Sequence, residues 1–337
     1  MIKQKSIIEA LLDPSVFPEK PREVVLAQTQ MSLVFLTGKT AYKVKRPVNL
    51  GYLDYTTLEK RKHFCYQELM LNRRLCPEVY IGVVPITLNN GKYTIDGEGE
   101  IIEYAVKMLQ LPPDKMMDHL LQNKKLSREM VVRVANKLAV FHKCADTNEE
   151  ISKYGTIDII SINTEENFSQ TKLYIGTAIS EDTYKAITGF TRSYLKNNKP
   201  LFDSRIAQSK IRDCHGDLHA AHVCFINGIC IYDCIEFNDR FRYGDVASEV
   251  AFLAMDIDKL DRPDLSELFV KAYIAASKDK GTNKLLNFYK CYRAYVRGKV
   301  ECFKFDNSNI SDDEKTQCLQ SATKYFKLAE SYISKID

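Results

Sequence analysis

Residues 214–239 read CHGDLHAAHVCFINGICIYDCIEFND. Three of the six histidines of the chain, His215, His219 and His222, fall within eight positions of this stretch, around Asp217. The runs VCFI and ICIYDC have the apolar character of short strands. Asn227-Gly228 between them is a strong signal for a two-residue hairpin turn, because both residues tolerate positive φ. A hairpin brings its two ends together. Asp217 and His222 before it and Asp233 at its end are therefore expected to converge, with Glu236 and Asp239 just beyond.

Upstream, residues 24–48 change from helical to strand period. VVLAQTQ, SLVFLTG and TAYKVKR are three runs rich in Val, Leu, Phe and Tyr, with a turn at Thr37-Gly38-Lys39. From Thr57 to Leu75 the pattern is helical: Thr56 or Thr57 can cap it, Glu59 sits in the first turn, and Phe64, Glu68, Leu71 and Leu75 recur at helical spacing. VYIGVVPITL and GKYTIDG form a second hairpin near Asn89-Asn90-Gly91, and IIEYAVKML (101–109) is a further strand closed by Pro112 and Pro113. A short helix, IIEALLD, precedes all of this. The remainder reads mainly as helices, at 127–145, 164–177, 182–196, 263–277, 282–302 and 312–334. The expectation is an α+β protein of two lobes. Residues 1–110 form a small antiparallel sheet with one long helix, and residues 111–337 a mostly helical lobe joined through LQLPP.

Composition narrows the function classes. The chain has 337 residues, 45% hydrophobic and 27% charged, with a formal charge of +4. That is enough chain for two packed lobes with a real core. The densest basic runs, Lys43-Val44-Lys45-Arg46 and Lys60-Arg61-Lys62, lie in a strand and a helix of the first lobe, so nucleic-acid binding is not expected. No run approaches the length of a membrane span. Ten cysteines occur without a C-x-x-C pair, and MIKQKSIIEALLDP lacks a secretory signal's apolar core. Reduced, buried thiols in a cytoplasmic protein are the simplest expectation.

HGDLHAAH resembles the catalytic-loop motif of the aminoglycoside phosphotransferase and choline kinase relatives, usually HGDLHxxN, and IYDCIEF resembles their metal-binding strand end. SLVFLTGKTAYKVKRPVNLGYLDYTTLEKRKHFCYQELMLNRRL resembles the first lobe of a bacterial branch of that family, some members of which carry a P-loop ATPase domain. The likeness runs from about residue 24 to 300, and no G-x-x-x-x-G-K-[ST] match is present, so the short form is expected. The resemblance implies a protein-kinase-like two-lobed fold that binds ATP or GTP with Mg²⁺ and phosphorylates a hydroxyl of a small molecule.

Residue roles follow from what phosphoryl transfer requires, namely positioning, metal and positive charge around the transferred group. Lys43 stands where the family's phosphate-binding lysine lies, with Glu68 as its ion-pair partner. Lys45, two residues on and on the same strand face, is the rival. Asp217 is the expected general base. Asp233, an acidic residue ending an apolar strand, is the expected metal ligand, and Glu236 either helps a second ion or anchors the loop. His222 stands where the family has asparagine; as a nitrogen ligand it points to Mn²⁺ use, to a bridging water or to an impaired kinase. His215 is expected to hold the loop's shape, and His219 either packs or takes a chemical part. Asp245, in RYGDVA, is expected to tie loops together. Arg293 and Arg297 lie on a helix with one basic side, open to an anionic substrate or merely solvated. No glycine-rich phosphate loop is present, so Thr29 and Gln30 are the expected donors over the phosphates. The backbone at Lys107, Met108 and Leu109 is expected to receive the base.

Other functions stay open at this point. They are a nucleotide-binding module without catalysis, a protein kinase, an enzyme transferring AMP, and a zinc hydrolase built on the three histidines. An aminoglycoside acceptor is disfavoured, because a polycation needs an acidic pocket.

Overall fold

The structure, a computed structural model, describes residues 4–307 and 310–335. The chain divides into two compact units: one runs to Met116 and includes His222–Asp239, the other holds Met117–Ala221 and the chain from Arg240 on. The division expected after residue 110 thus falls at Met116 in this grouping, and the hairpin segment counts with the first unit. The reason is packing: Cys224 and Cys230 are buried in that unit's core, with Ile226 and Tyr232 against it.

The first unit opens with helix α1 (Gln4–Leu11), followed by strands β1 (Val25–Gln28), β2 (Ser32–Leu36) and β3 (Thr40–Lys45). Helix α2 (Leu58–Arg73) comes next, then β4 (Tyr80–Asn89), β5 (Lys92–Ile95) and β6 (Glu100–Leu109). The six strands form one antiparallel sheet in the order β1-β2-β3-β6-β4-β5. The turns fall where glycine and asparagine permit positive φ: Gly38 at +89°, Asn90 at +48° and Gly91 at +79°. Alternation sorts the side chains onto two faces. Leu33, Phe35, Tyr42, Val44, Ile86 and Ala105 pack with Leu11 and Phe17 on one face. Ala41, Tyr80, Tyr104, Val106 and Met108 pack with Cys65 and Leu69 of α2 on the other. Thr57 caps α2, its hydroxyl accepting the Lys60 N–H at 3.2 Å.

The second unit is helical: α3 (Met117–Gln122), α4 (Arg128–Cys144), α5 (Glu149–Ser152), α6 (Ile157–Thr171), α7 (Glu181–Asn197), α8 (Lys199–Ala207), α9 (Asp239–Arg242), α10 (Val246–Lys259), α11 (Pro263–Ser277), α12 (Thr282–Phe305) and α13 (Asp312–Ser331). Strand Ile211–Asp213 pairs antiparallel with Tyr243–Asp245. Five of these helices, the short α3, α5 and α9 together with α8 and α10, escape the sequence reading. The helix expected at 164–177 runs instead over Ile157–Thr171, started by Thr156, which caps it. Twelve of the fourteen residues of α10 are buried, so it lies at the centre of the unit. Among the described residues no helix is long and apolar enough to cross a membrane.

Candidate functional site

Strand β3 aims Ala41, Lys43 and Lys45 at α2, whose buried residues Arg61, Cys65, Glu68, Leu69 and Asn72 mark one helical face. Both lysines reach the same carboxylate. Lys43 Nζ lies 2.9 Å from Glu68 Oε1, and Lys45 Nζ lies 2.7 Å from Glu68 Oε2. Lys43 also contacts Asp233 Oδ1 at 2.5 Å, while Lys45 binds Glu236 Oε1. The Tyr55 hydroxyl donates to that same Glu236 oxygen at 2.6 Å. Lys45 and Glu68 are 1% and 0% exposed, whereas the Lys43 side chain keeps 16% of its surface. Burial works against the charge on each lysine. The carboxylates more than offset it, led by Asp233 for Lys43 and Glu236 for Lys45, and hold both ammonium groups protonated well above the usual lysine range.

The hairpin supplies the rest of this cluster. Val223–Cys224 pairs with Cys230–Ile231, turned at Asn227 (φ +47°) and Gly228 (φ +118°). The Tyr232 N–H donates to the His222 carbonyl at 3.0 Å. This puts His222 beside Asp233, with Nε2 3.5 Å from Asp233 Oδ2. Asp233 itself has φ +63°, a conformation an L-residue adopts at a cost. Two contacts hold it there: its N–H donates to the Tyr80 hydroxyl at 3.3 Å, and the Cys234 N–H donates to Asn72 Oδ1 at 2.9 Å. Cys76, just past α2, is joined to Cys230 by a disulfide, with Cα atoms 4.8 Å apart. The expectation of reduced thiols is corrected for this pair; the other eight cysteines are free, six of them buried.

Two lysines face three carboxylates, Glu68, Asp233 and Glu236, in this cluster. The partly exposed Asp233 carboxylate, a hard oxygen donor, fits a divalent cation, with His222 as a neighbouring nitrogen donor. Lys45 and Tyr55 hold the same one of the Glu236 oxygens, and its side chain is 6% exposed.

The expected nucleotide-grip residues are placed as follows. Thr29 sits at the β1–β2 turn, where its hydroxyl accepts the Ser32 N–H at 2.9 Å and so closes its own turn. Gln30, beside it, is exposed. Lys107, Met108 and Leu109 lie in β6 between β3 and β4, paired on one side with Tyr42, Ala41 and Thr40. The Leu109 N–H donates to Val79 and the Gln110 N–H to Lys39, each at 2.9 Å. Main-chain donors at these two positions are thus occupied by the sheet and its margin.

In the second unit the loop carrying Asp217 hangs on Glu249 of α10. One Glu249 oxygen accepts the N–H of His215 at 2.8 Å and of Gly216 at 2.7 Å; the other meets His142 Nε2 at 2.8 Å. Burial pushes the Glu249 carboxyl up, but His142, His215 and the Gly216 N–H outweigh it, and its pKa falls to about 2. His215 is fully buried and its Nδ1 accepts the Asp217 N–H at 3.3 Å, so it shapes the loop from within. The Asp217 side chain is one-third exposed, with His219 Nε2 3.6 Å from Oδ2. The His219 ring lies 6.0 Å from that of Phe252. Arg293 donates to the Gly216 carbonyl at 3.1 Å, and Arg297 lies within the field of Asp217. Asp245 caps α10 through the Ala247 N–H at 2.8 Å and binds Arg205 at 2.7 and 2.9 Å; Arg205 in turn holds Asp279 at 2.6 Å. The sequence reading missed Glu249, Tyr55, Asn72 and Tyr80. Only Glu249 carried a signal, an acid directly before the apolar run VAFLAM.

No protein-family model matches the sequence. An uncharacterised protein of Mycobacterium tuberculosis is 31% identical over 279 residues, 82% of this chain, and the chain spans 54% of that protein's length. Among solved structures, a choline/ethanolamine kinase family protein from Mesorhizobium loti superposes with a TM-score of 0.54 at 11% identity, covering 98% of this chain and 99% of that one. An amicoumacin kinase, solved in complex with AMP-PNP, Ca²⁺ and Ami, gives 0.55 at 12% identity, covering 100% and 96%. This is the protein-kinase-like fold. Within it the small antiparallel lobe and the mostly helical lobe are those expected from the sequence. At these identities the likeness establishes the kinase-like fold and leaves the reaction to the residues.

Proposed function

We propose that the chain is a nucleotide-dependent phosphotransferase that moves the γ-phosphoryl group of ATP, or of GTP, to a hydroxyl of a small molecule. The observation that carries this reading is Lys43 held between Glu68 and Asp233. That contact supports the reading because a lysine in reach of a carboxylate pair suits phosphate beside a metal. Asp233, with His222 next to it, would hold Mg²⁺ or Mn²⁺, which when bound neutralises charge on the phosphate oxygens. Lys43 would bind the α and β phosphates, and Glu68 would keep it oriented. Thr29, Gln30 and the segment Lys107, Met108 and Leu109 border the nucleotide in this reading, with base recognition shifted toward Leu111 by the occupied N–H groups before it. Glu236 serves as an anchor.

Asp217 would accept the proton of the acceptor hydroxyl. The hydroxyl oxygen bonds to the γ-phosphorus, the bond from that phosphorus to the β–γ bridging oxygen breaks, and ADP leaves. His215 and Glu249 hold the loop that presents Asp217. A compartment that supplies nucleoside triphosphates, the cytoplasm, suits this chemistry.

The test is turnover of ATP against a panel of hydroxyl compounds, with nucleotide affinity measured separately. Asp217→Asn is expected to abolish turnover while nucleotide affinity stays within about twofold, because Asp217 addresses the acceptor. Loss of both together would assign Asp217 a structural role. Mass analysis of products separates phosphate transfer from AMP transfer by the size of the added group. His222 favours one second reading, a nucleotide-binding module without catalysis, which metal-dependent turnover would exclude.

A further inference from the structure

Among the described residues, the two buried arginines of the second unit are closed by carboxylates. Arg205 binds Asp245 and Asp279 at 2.6–2.9 Å, and Arg242 binds Asp213 at 2.8 Å. Arg293 and Arg297, one turn apart on α12 and half-buried, differ. Among the described residues no carboxylate lies within 4.0 Å of Arg293. Its Nε donates to Ser248 Oγ at 3.0 Å and its Nη1 to the Gly216 carbonyl at 3.1 Å, and its guanidinium stacks 4.8 Å from the Phe252 ring centroid. The carboxylate nearest Arg297 is Glu301, at 3.9 Å, and that oxygen is already taken by Lys304 at 2.8 Å. Arg297 Nε is buried with no hydrogen-bond partner among the described residues. Two half-buried guanidinium groups side by side, neither in close contact with a carboxylate, leave room in the field of Asp217 and Asp256 for a further anion.

Their place says which charge. Arg293 grips the residue before Asp217, and Asp217 acts electrostatically on Arg297. We infer that the acceptor is an anionic alcohol, whose phosphate or carboxylate group seats on Arg293 and Arg297 while its hydroxyl faces Asp217. This rests on the phosphotransferase reading and narrows its substrate class. A guanidinium pair suits planar or tetrahedral oxyanions through charge-assisted hydrogen bonds. The same pair repels an aminoglycoside polycation. The reaction balances as above: the hydroxyl proton passes to Asp217, phosphate passes from ATP to oxygen, and the anionic group remains unchanged.

The experiment has two arms. In the first, binding of inorganic phosphate and of acetate to the full chain is measured by calorimetry, for wild type, Arg297→Gln, Arg297→Lys and Arg293→Gln, each checked for a retained melting temperature. In the second, ATP turnover is followed with matched alcohols bearing phosphate, carboxylate, no charge or an amine. The expected result is turnover confined to anionic alcohols, with whichever of phosphate or acetate binds better naming the group. Arg297→Gln should raise the acceptor KM by roughly 10- to 100-fold with the KM for ATP nearly unchanged, and Arg297→Lys should restore part of it. Turnover of neutral or amine alcohols with a KM indifferent to Arg297→Gln would overturn the inference and leave the kinase reading standing. A fall in ATP affinity with no change in acceptor KM would also overturn it, by assigning the pair to the nucleotide. Oxyanion binding lost in Arg297→Gln, together with no turnover of any alcohol, would uphold the anion site and sink the kinase reading. Absence of both binding and turnover would sink the site.

Discussion

Glu68 holds Lys45 at 2.7 Å through one carboxylate oxygen, in a position solvent does not reach. Its other oxygen meets Lys43, which is partly open to solvent and also touches Asp233. Two lysines on one strand face therefore divide the work, one fixed inside and one able to exchange partners. Removing each should have a different effect. Lys45→Met leaves Glu68 and Glu236 buried without their common cation and should cost about 3–5 kcal/mol of stability. Lys43→Met should cost much less stability and abolish most nucleotide affinity. Denaturant unfolding and binding of a non-hydrolysable ATP analogue, measured on both variants, separate the two; equal losses of stability would contradict the division.

The carboxyl of Glu249, with its pKa depressed to about 2 from 4.5, links the Asp217 loop to acid stability. A carboxylate with a lowered folded pKa contributes stability that is present above pH 4.5 and is lost as the pH falls from there toward 2. The contribution is on the order of 2–4 kcal/mol. Glu249→Gln should flatten that part of the stability–pH curve relative to wild type. An unchanged curve would mean that Glu249 is not what ties the loop.

Lys299 on α12 acts in the same sense at alkaline pH, through burial rather than pairing. Its amine donates to Asn167 Oδ1 at 2.6 Å and to Gln170 Oε1 at 2.8 Å, and burial, partly offset by Glu166, lowers its pKa to about 8. The folded state therefore holds this proton less tightly than the unfolded chain. Stability should rise with pH between about 8 and the ordinary lysine value of 10.5. Chemical denaturation across that interval should show the rise in wild type and its absence in Lys299→Met.

His222, 3.5 Å from Asp233, should set metal preference. Imidazole nitrogen suits Mn²⁺ better than Mg²⁺. Nucleotide binding and turnover with each metal are expected to favour Mn²⁺ in wild type, with His222→Asn moving the ratio toward Mg²⁺ by roughly tenfold. A ratio unmoved by the substitution would remove His222 from the metal's surroundings.

Much of the first unit was legible because its strands are short, period-two and punctuated by Gly38, Asn90-Gly91 and Asn227-Gly228, each at positive φ. Thr57 announced α2 by its capping chemistry. The depth of Lys45 was not legible, since alternation puts Lys43 and Lys45 on one face and says nothing about how far each is covered. Helix α10 was missed because an element buried all round loses the amphipathic period that betrays a surface helix. The Cys76–Cys230 link joins residues 154 apart, and spacing alone does not reveal such a partner. The anchoring of Glu236 by Tyr55 is likewise a contact 181 residues apart that no local pattern encodes.

The first unit takes its last strands from residues 222–239, more than a hundred positions after Met116. A ribosome that has finished the six-stranded sheet has therefore not finished the unit. At about 5–20 residues per second, roughly 6–25 s pass before the hairpin emerges. During that interval the α2 face of the sheet lacks Cys224, Cys230, Ile226 and Tyr232, and Glu68 and Lys45 lack Glu236. The nascent chain thus carries an uncovered apolar side through much of its synthesis, and a stop codon placed between 116 and 222 should yield a sheet with that side open rather than a free-standing lobe.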